Sequence, residues 1–308
     1  MDILRVDKLS KNFGENSILE ELSFSIQKGE IVGFVGKNGA GKTTTMKCII
    51  GLIPTNNGSI YICEKKIKYG EPIPQGSVGY LQDVPNFYGY MNAKQYLSFF
   101  AELSKIESTK IEFCVSNLLR KVGLENYTKK KIADFSRGMK QRLGLAQAII
   151  NSPKLLICDE PTSALDPNGR REMLELLHTI SDETAILFST HILSDVERIC
   201  NRIIILDEGK IKFDSSSDEL KKDYATQIFE LELRNQNDIK IFENSMEYNV
   251  LIGEIINTVN NTIKFNTKDA LLFQKTIWKI AEDNNITIKR LEEMDTKIED
   301  IFTEVTNS

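Results

Sequence analysis

The chain lacks any long apolar run: nothing in its sequence approaches the ~18 uncharged apolar residues that would cross a bilayer. Its N-terminus, MDILRVDKLSKNF, has no apolar core between a basic start and a small-residue cleavage site, so no secretory signal is expected. Cysteine is scarce. Cys48, Cys63, Cys114, Cys158 and Cys200 are odd in number, widely scattered and without CxxC spacing, which argues against a disulfide framework or a zinc site and for reduced thiols. These absences predict a cytoplasmic protein. A basic surplus is missing too. Residues 1–209 carry 26 cationic and 25 anionic side chains, and residues 210–308 carry 13 and 19, for a net charge of -5. Non-specific nucleic-acid binding needs the opposite balance, so no nucleic-acid partner is expected.

What is present is ordinary for a folded protein: 41% apolar and 27% charged residues over 308 positions, a length that suggests two domains. The boundary is marked by SSSDELKK, Ser215 to Lys222. Before it the chain is rich in glycine and motifs; after it only Gly253 remains, and Asn, Lys, Ile and Glu dominate. The expected division is residues 1–220 and 221–308.

The first segment reads as phosphate chemistry. Ile31 to Val35 (IVGFV) is a short β-branched run, followed by GKNGAGKT, Gly36 to Thr43, and then by TTMKCIIGL with Met46, Ile49 and Ile50 at helical spacing. Strand, glycine loop and helix in that order make a P-loop. Gly36, Gly39 and Gly41 let backbone N–H groups converge, with Lys37, Asn38 and Ala40 between them, and the helix N-terminus at Thr43 and Thr44 adds partial positive charge. Lys42 supplies a point charge to β- and γ-phosphates, and Thr43 offers a hydroxyl to Mg²⁺. A second apolar run, Lys154 to Cys158, ends in Asp159-Glu160. Adjacent carboxylates at a strand end are in isolation simply solvated. Beside a P-loop they suggest a division of labour, Asp159 holding Mg²⁺ through water and Glu160 acting as general base. Between these segments, Ser136 is a candidate helix N-cap, and Met139, Leu143, Ala146 and Ile150 make one buried face before Pro153. Ser-x-Gly at such a terminus is also an anion site, although nothing local names the phosphate it would meet.

GKNGAGKT, Gln82 in GYLQD, FSRGMKQR, LLICDEP, SALD (Ser163 to Asp166) and His191 after AILFST stand in an order that resembles the nucleotide-binding subunit of ABC transporters, over residues 1–220. The resemblance implies an α/β P-loop ATPase domain with a helical subdomain at about 86–150, followed here by a small α+β domain. It implies ATP and Mg²⁺ as cofactors. By the same resemblance Phe13 stacks on adenine, Gln82 senses the metal and water, Ser136 and Gly138 meet the γ-phosphate of a second subunit, Asp166 crosses the dimer interface, and His191 is the switch histidine. His178, inside EMLELLHTI, is expected to be structural. The signature reads Phe135-Ser136-Arg137-Gly138-Met139 where the commonest pattern is LSGGQ. This variant resembles the subfamily serving drug, bacitracin or lantibiotic export with separate membrane subunits.

A P-loop with its own Glu160 has no charge of its own for the far side of the γ-phosphate. The resemblance therefore implies a head-to-tail homodimer with two equal sites, closed by ATP and reopened by hydrolysis. With no membrane span, the motion must be received by a separate multi-span permease, which places the chain on the inner face of the membrane. Phe87, Tyr88 and Tyr90, in a Gly/Pro/Asn-marked loop, are candidates to face a helix of that partner; Tyr96, Phe99 and Phe100, at i, i+3, i+4, follow a spacing that is more often core than interface. The alternatives are a soluble ATPase of the same family acting on ribosomes or DNA, or a non-transporting regulator. One ATPase unit, no basic linker and no long coiled-coil insertion weigh against the former, and a complete catalytic set against the latter.

In residues 228–308, Phe229–Leu231, Val250–Ile256, Thr262–Asn266 and Ile286–Leu291 read as strands. Phe273, Ile277, Ile280 and Ala281 mark one helix face, and Ile298, Ile301, Phe302 and Val305 another. Without cysteine, histidine or a glycine loop, catalysis there is not expected; dimer support, partner docking and regulation all remain open.

Overall fold

The computed structural model describes residues 2–163, 165–216, 219, 227–246, 254–267 and 269–294. These fall into two compact units divided between residues 217 and 218.

In the first unit, β3 (Ile31–Val35), β7 (Leu155–Asp159) and β8 (Ala185–Thr190) are buried at every position. Uninterrupted apolar runs of this kind form the interior of a parallel sheet covered on both faces. With β6 (Val78–Leu81), β9 (Arg202–Asp207) and β10 (Lys210–Ser216) they make a six-stranded sheet of order β10-β9-β3-β8-β7-β6. All pairs are parallel except β10 with β9. A second, antiparallel sheet has the order β2-β1-β4-β5, built from β1 (Asp2–Phe13), β2 (Asn16–Gln27), β4 (Asn57–Ile62) and β5 (Lys65–Ile67). Between the two sheets lies one core containing Leu4, Leu22, Ile26, Phe34, Met46, Ile157 and Leu187, with α1 (Lys42–Ile49) contributing Met46 and Ile49. Each such side chain, fully buried, contributes about 1.5–3 kcal/mol.

A separate core joins α2 (Ala93–Leu103), α3 (Ser108–Lys121) and α4 (Arg137–Ala148) through Tyr96, Leu97, Val115, Leu119, Leu143 and Ala146. Asn92 and Gln95 cap α2 reciprocally, side chain to backbone in both directions. The expected face Met139, Leu143, Ala146 and Ile150 is in this core, although α4 ends at Ala148, well before Pro153. The unit is completed by α5 (Pro167–Ser181) and α6 (Leu193–Ile199). His178 lies on the exposed side of α5.

The second unit runs β11 (Gln227–Leu233), α7 (Gln236–Met246), β12 (Glu254–Val259), β13 (Thr262–Thr267), α8 (Ala270–Asp283) and β14 (Ile288–Met294). The strand order β12-β13-β11-β14, antiparallel throughout, is the ferredoxin-like βαββαβ arrangement. One face of the sheet, with Phe229, Leu231, Ile263 and Phe265, packs with Ile239 and Phe242 of α7 and with Phe273 and Ile277 of α8. On the other face Arg290 pairs with Glu230 at 2.6 Å and Lys264 with Glu230 at 3.7 Å. The helix face Phe273, Ile277, Ile280 and Ala281 is buried as its spacing predicts. Helix α7 carries only Ile239, Ile241 and Phe242 as branched or aromatic apolar residues, too few for a sequence period, and is an addition to the sequence analysis. The strand expected at Val250–Ile256 begins among residues outside the described ones, and the helix face at Ile298–Val305 lies wholly outside them.

Candidate functional site

Parallel strands aim their carboxyl ends at one edge of a sheet, and ligands bind in the crevice there. At that edge the loop after β3, the residues after β6 and β7, and the turn after β8 converge on a cleft of about 590 Å³. Asn38, Gly39, Gly41, Lys42, Thr43, Thr44, Glu160 and His191 line it, as do Ile18, Asp83 and Ser163.

The loop is glycine-rich for steric reasons visible in the fold. A Cβ on Gly36 would lie 2.3 Å from the Leu206 carbonyl oxygen. Gly41, the residue before α1, has φ 108°, and a Cβ there would lie 2.5 Å from Leu19 Cδ2. This left-handed residue turns the loop directly into the helix. Lys42 is buried and donates from Nζ to the carbonyl oxygens of Gly36 at 2.7 Å and Lys37 at 3.2 Å. Burial pulls its ammonium below the ordinary lysine range, opposed by the charges of Glu160 and Asp159.

Asp159 closes β7, only 3% exposed. Its Oδ1 accepts from Thr43 Oγ1 at 3.1 Å and from Ser189 Oγ at 2.8 Å, and Oδ2 from the Tyr80 hydroxyl at 3.5 Å. Burial and the neighbouring Asp159 push the Tyr80 phenol up, so it stays a donor. Glu160 follows in the left-handed region, φ 49°, a strained conformation for a non-glycine residue of the kind that clusters at functional sites. Its N–H donates to Ser189, to the carbonyl oxygen at 3.2 Å and to Oγ at 3.1 Å. Its Oε1 lies 3.7 Å from Lys42 Nζ, and its Oε2 lies 2.7 Å from His191 Nδ1.

The remaining expected residues are elsewhere. Ser136 caps α4, accepting from the Met139 N–H at 3.3 Å. Together with Gly138, Asp166, Arg142 and Glu172 it lines a second cleft of about 290 Å³, which shares no lining residue with the first. Asp166 is the N-cap residue of α5 and makes no side-chain cap. The loop that carries it serves both clefts, Ser163 in the first and Asp166 in the second. Phe13, at the end of β1, is 52% exposed, with Lys11 Nζ 4.7 Å from its ring centroid. Gln82 is exposed and does not line the first cleft; its neighbour Asp83 does, accepting from Ser163 Oγ at 2.9 Å.

Sequence reasoning missed Asp83, Ser189 and Tyr80, and also a buried tie between two loops. Thr162 Oγ1 donates to Asp195 Oδ2 at 2.7 Å, with Arg170 Nε 4.0 Å from Asp195. Thr162 follows Glu160 by two residues and Asp195 follows His191 by four, a spacing with no local signal.

A strand–glycine loop–helix with a buried lysine, beside a strand-end carboxylate pair and a histidine, defines a nucleoside-triphosphate site, and comparison with known proteins names the family. The pattern of the ABC transporter family matches residues 19–163. The uncharacterized ABC transporter ATP-binding protein YxlF of Bacillus subtilis (strain 168) is 32% identical over 306 residues, 99% of this chain and 100% of that one. The bacitracin transport ATP-binding protein BcrA of Bacillus licheniformis is 37% identical over 237 residues, 76% of each chain. A solved ATP-binding subunit of an ABC transporter superposes with a TM-score of 0.65 at 32% identity, covering 72% of this chain and 93% of the other. The chain belongs to the ABC transporter family as an ATP-binding subunit, and binds and hydrolyses ATP.

Proposed function

We propose that this chain energises a separate multi-span membrane permease that exports a peptide antibiotic or a similar solute, working at the inner face of the membrane as a head-to-tail homodimer. The observation that carries the reading is the Lys42–Glu160–His191 chain in the first cleft, in a protein similar over most of its length to one that serves bacitracin transport. No described helix is long and apolar enough to cross a membrane, and a separate permease is the reading that the relatives' names as ATP-binding proteins of transporters support.

In the cleft, Lys42 would turn from Glu160 to the β- and γ-phosphates, with the loop residues Gly36 to Thr44 holding them through N–H groups. Phe13 offers an exposed ring for adenine. Mg²⁺ suits the donors at hand: the Thr43 hydroxyl and the buried Asp159 carboxylate are hard oxygen ligands 3.1 Å apart. Bound with the triphosphate, it would neutralise phosphate charge. Freed from Lys42, Glu160 would take the proton of the attacking water, and His191, hydrogen-bonded to Oε2, would hold that carboxylate in place. The far face of the γ-phosphate would be closed by Ser136 and Gly138 of a second copy, with Asp166 beside them in the same cleft.

For the permease, the loop after β6 offers exposed Tyr88 and Tyr90, with ring centroids 6.0 Å apart, and Tyr88 stands 6.3 Å from Phe99 of α2. Clustered exposed tyrosines are the anchors that protein interfaces favour. Phe87 instead packs on the α2–α4 core, 5.1 Å from the buried Tyr96 ring. The net charge of -5 weighs against a nucleic-acid partner.

The test is the Glu160→Gln protein, which should keep ATP and lose its base. Light scattering on a size-exclusion column should give twice the monomer mass with ATP and the monomer mass without it. A monomer in saturating ATP and Mg²⁺, with ATP bound, would count against the dimer.

A further inference from the structure

Two buried side-chain atoms among the described residues lack a hydrogen-bond partner, Nε of Arg142 and Nε of Arg170, and both border α5. Unpaired buried donors are rare because each costs its full desolvation, so two at one helix need a physical reason. Arg142, on α4, reaches Glu172 of α5 through another nitrogen at 2.9 Å. Arg170 is on α5 itself, one turn beyond Asp166, whose carbonyl oxygen accepts from the Arg170 N–H at 2.9 Å. Its Nε stops 4.0 Å from Asp195 Oδ1, too far for a hydrogen bond. The other Asp195 oxygen accepts from the buried Thr162 hydroxyl at 2.7 Å. Tight turns hold Thr162 to the base segment: the Ser163 N–H donates to the Glu160 carbonyl oxygen, and the Leu165 N–H to that of Thr162, both at 3.2 Å. Asp195 belongs to the first turn of α6, four residues after His191. One carboxylate thus joins the segments that carry Glu160 and His191, and faces across a short gap the helix that begins after Asp166.

We propose that Arg170 and Asp195 are positioning residues of the hydrolytic site. Closure of the dimer completes the hydrogen bond from Arg170 Nε to Asp195 Oδ1, and through Asp195 the engagement of Asp166 by a second copy steadies Glu160 and His191 against each other. The proposal rests on the head-to-tail dimer reading above. Asp166 makes no side-chain cap on α5 and lines the second cleft, where a facing copy would meet it. A shift of about 1 Å in the first turn of α5 brings Nε within hydrogen-bonding distance of the carboxylate. Between two ionised groups in a buried place, that bond is shorter and stronger than a neutral one. In the open state Thr162 is the one donor hydrogen-bonded to Asp195 among the described residues, and the buried Nε has no acceptor. Closure satisfies both at once, so it is favoured by a contact that the single chain does not make.

The test uses the full chain. Arg170→Met keeps the length of the side chain and removes the guanidinium. Because the contact is open without nucleotide, the nucleotide-free variant should melt no lower than the parent, and ATP affinity of the monomer should stay within about twofold. With Glu160→Gln also present, the ATP-bound dimer should come apart on dilution at about 10-fold higher protein concentration, read by light scattering, the scale of one hydrogen bond to a charged group. With Glu160 intact and the membrane partner present, kcat should fall by about 10-fold or more while KM for ATP is held. Asp195→Asn should bring the same losses, because its one oxygen serves Thr162 and its amide nitrogen, a donor, faces Arg170. The double variant should be no worse than either single one, since both remove the same bond. The proposal is overturned if Arg170→Met lowers the melting temperature of the nucleotide-free chain, if dimer and kcat are unchanged, or if the two substitutions multiply in their effects. A Glu160→Gln parent that binds ATP and stays monomeric would overturn the dimer reading instead.

Discussion

Glu160 and His191 meet at 2.7 Å, Oε2 to Nδ1, across the ends of adjacent parallel strands. The other Glu160 oxygen faces Lys42 Nζ at 3.7 Å, so base, histidine and phosphate-binding lysine form one chain of contacts. The site in this state satisfies itself: the lysine ammonium is held by the Gly36 and Lys37 carbonyl oxygens and by the carboxylate it would release to water activation.

The first expectation concerns that lysine. Lys42→Ala removes the one ammonium that lines the cleft among the described residues. A desolvated charge contact of this kind is worth about 2–5 kcal/mol when one partner is truncated. Equilibrium dialysis should find ATP retention lost under conditions that saturate the parent protein. Retention near the parent level would contradict the phosphate-binding role.

Asp195 gives a pH prediction. It is 2% exposed, and burial raises its pKa above the ordinary 3.8, against the hydrogen bond from Thr162 and the charges of Arg170, Arg198 and His191. A carboxyl group whose folded pKa is raised binds its proton more tightly when folded, so its contribution is fully present below 3.8 and is lost as pH rises through the raised value. Asp195→Asn cannot ionise and still accepts from Thr162. Its melting temperature relative to the parent should therefore climb from pH 4 towards neutrality and then level off. A difference that is flat or falls over that range would contradict the assignment of burial as the dominant cause.

Tyr90, 71% exposed, tests the permease surface. Exposed positions of this kind change stability by roughly ±0.5 kcal/mol or less. An interface anchor costs about 2 kcal/mol or more when truncated. Tyr90→Ala should melt with the parent and bind ATP normally, yet lose permease affinity in a pull-down with its membrane partner. Unchanged permease affinity would remove this loop from the interface.

Much of the site was legible because its signals are local. The β3 run, GKNGAGKT and the helix after it specify strand, turn and phosphate cradle within a few residues, and LLICDE announces a buried strand ending in carboxylates. What escaped depends on register and on distant pairing. Whether Gln82 or Asp83 faces the cleft is decided by where β6 ends against β7, at Leu81 beside Cys158. The partners Ser189 for Asp159 and Asp195 for Thr162 lie 30 and 33 residues away along the chain. In the second unit, α8 was legible from four apolar residues at helical spacing, whereas α7, among its described side chains, buries only Ile239 and Phe242 and leaves Ile241 exposed.

Ser136 tests the account most directly, because its proposed role lies in another copy of the chain. Its cleft, shared with Gly138 and Asp166, has no lining residue in common with the cleft of Lys42 and Glu160. Ser136→Arg places a bulky cation where the partner's γ-phosphate would dock and leaves the chain's own phosphate loop untouched. The measurement is steady-state ATP hydrolysis with the membrane partner, alongside ATP binding by the isolated monomer. The account predicts near-normal binding with hydrolysis abolished; hydrolysis at the parent rate would contradict it.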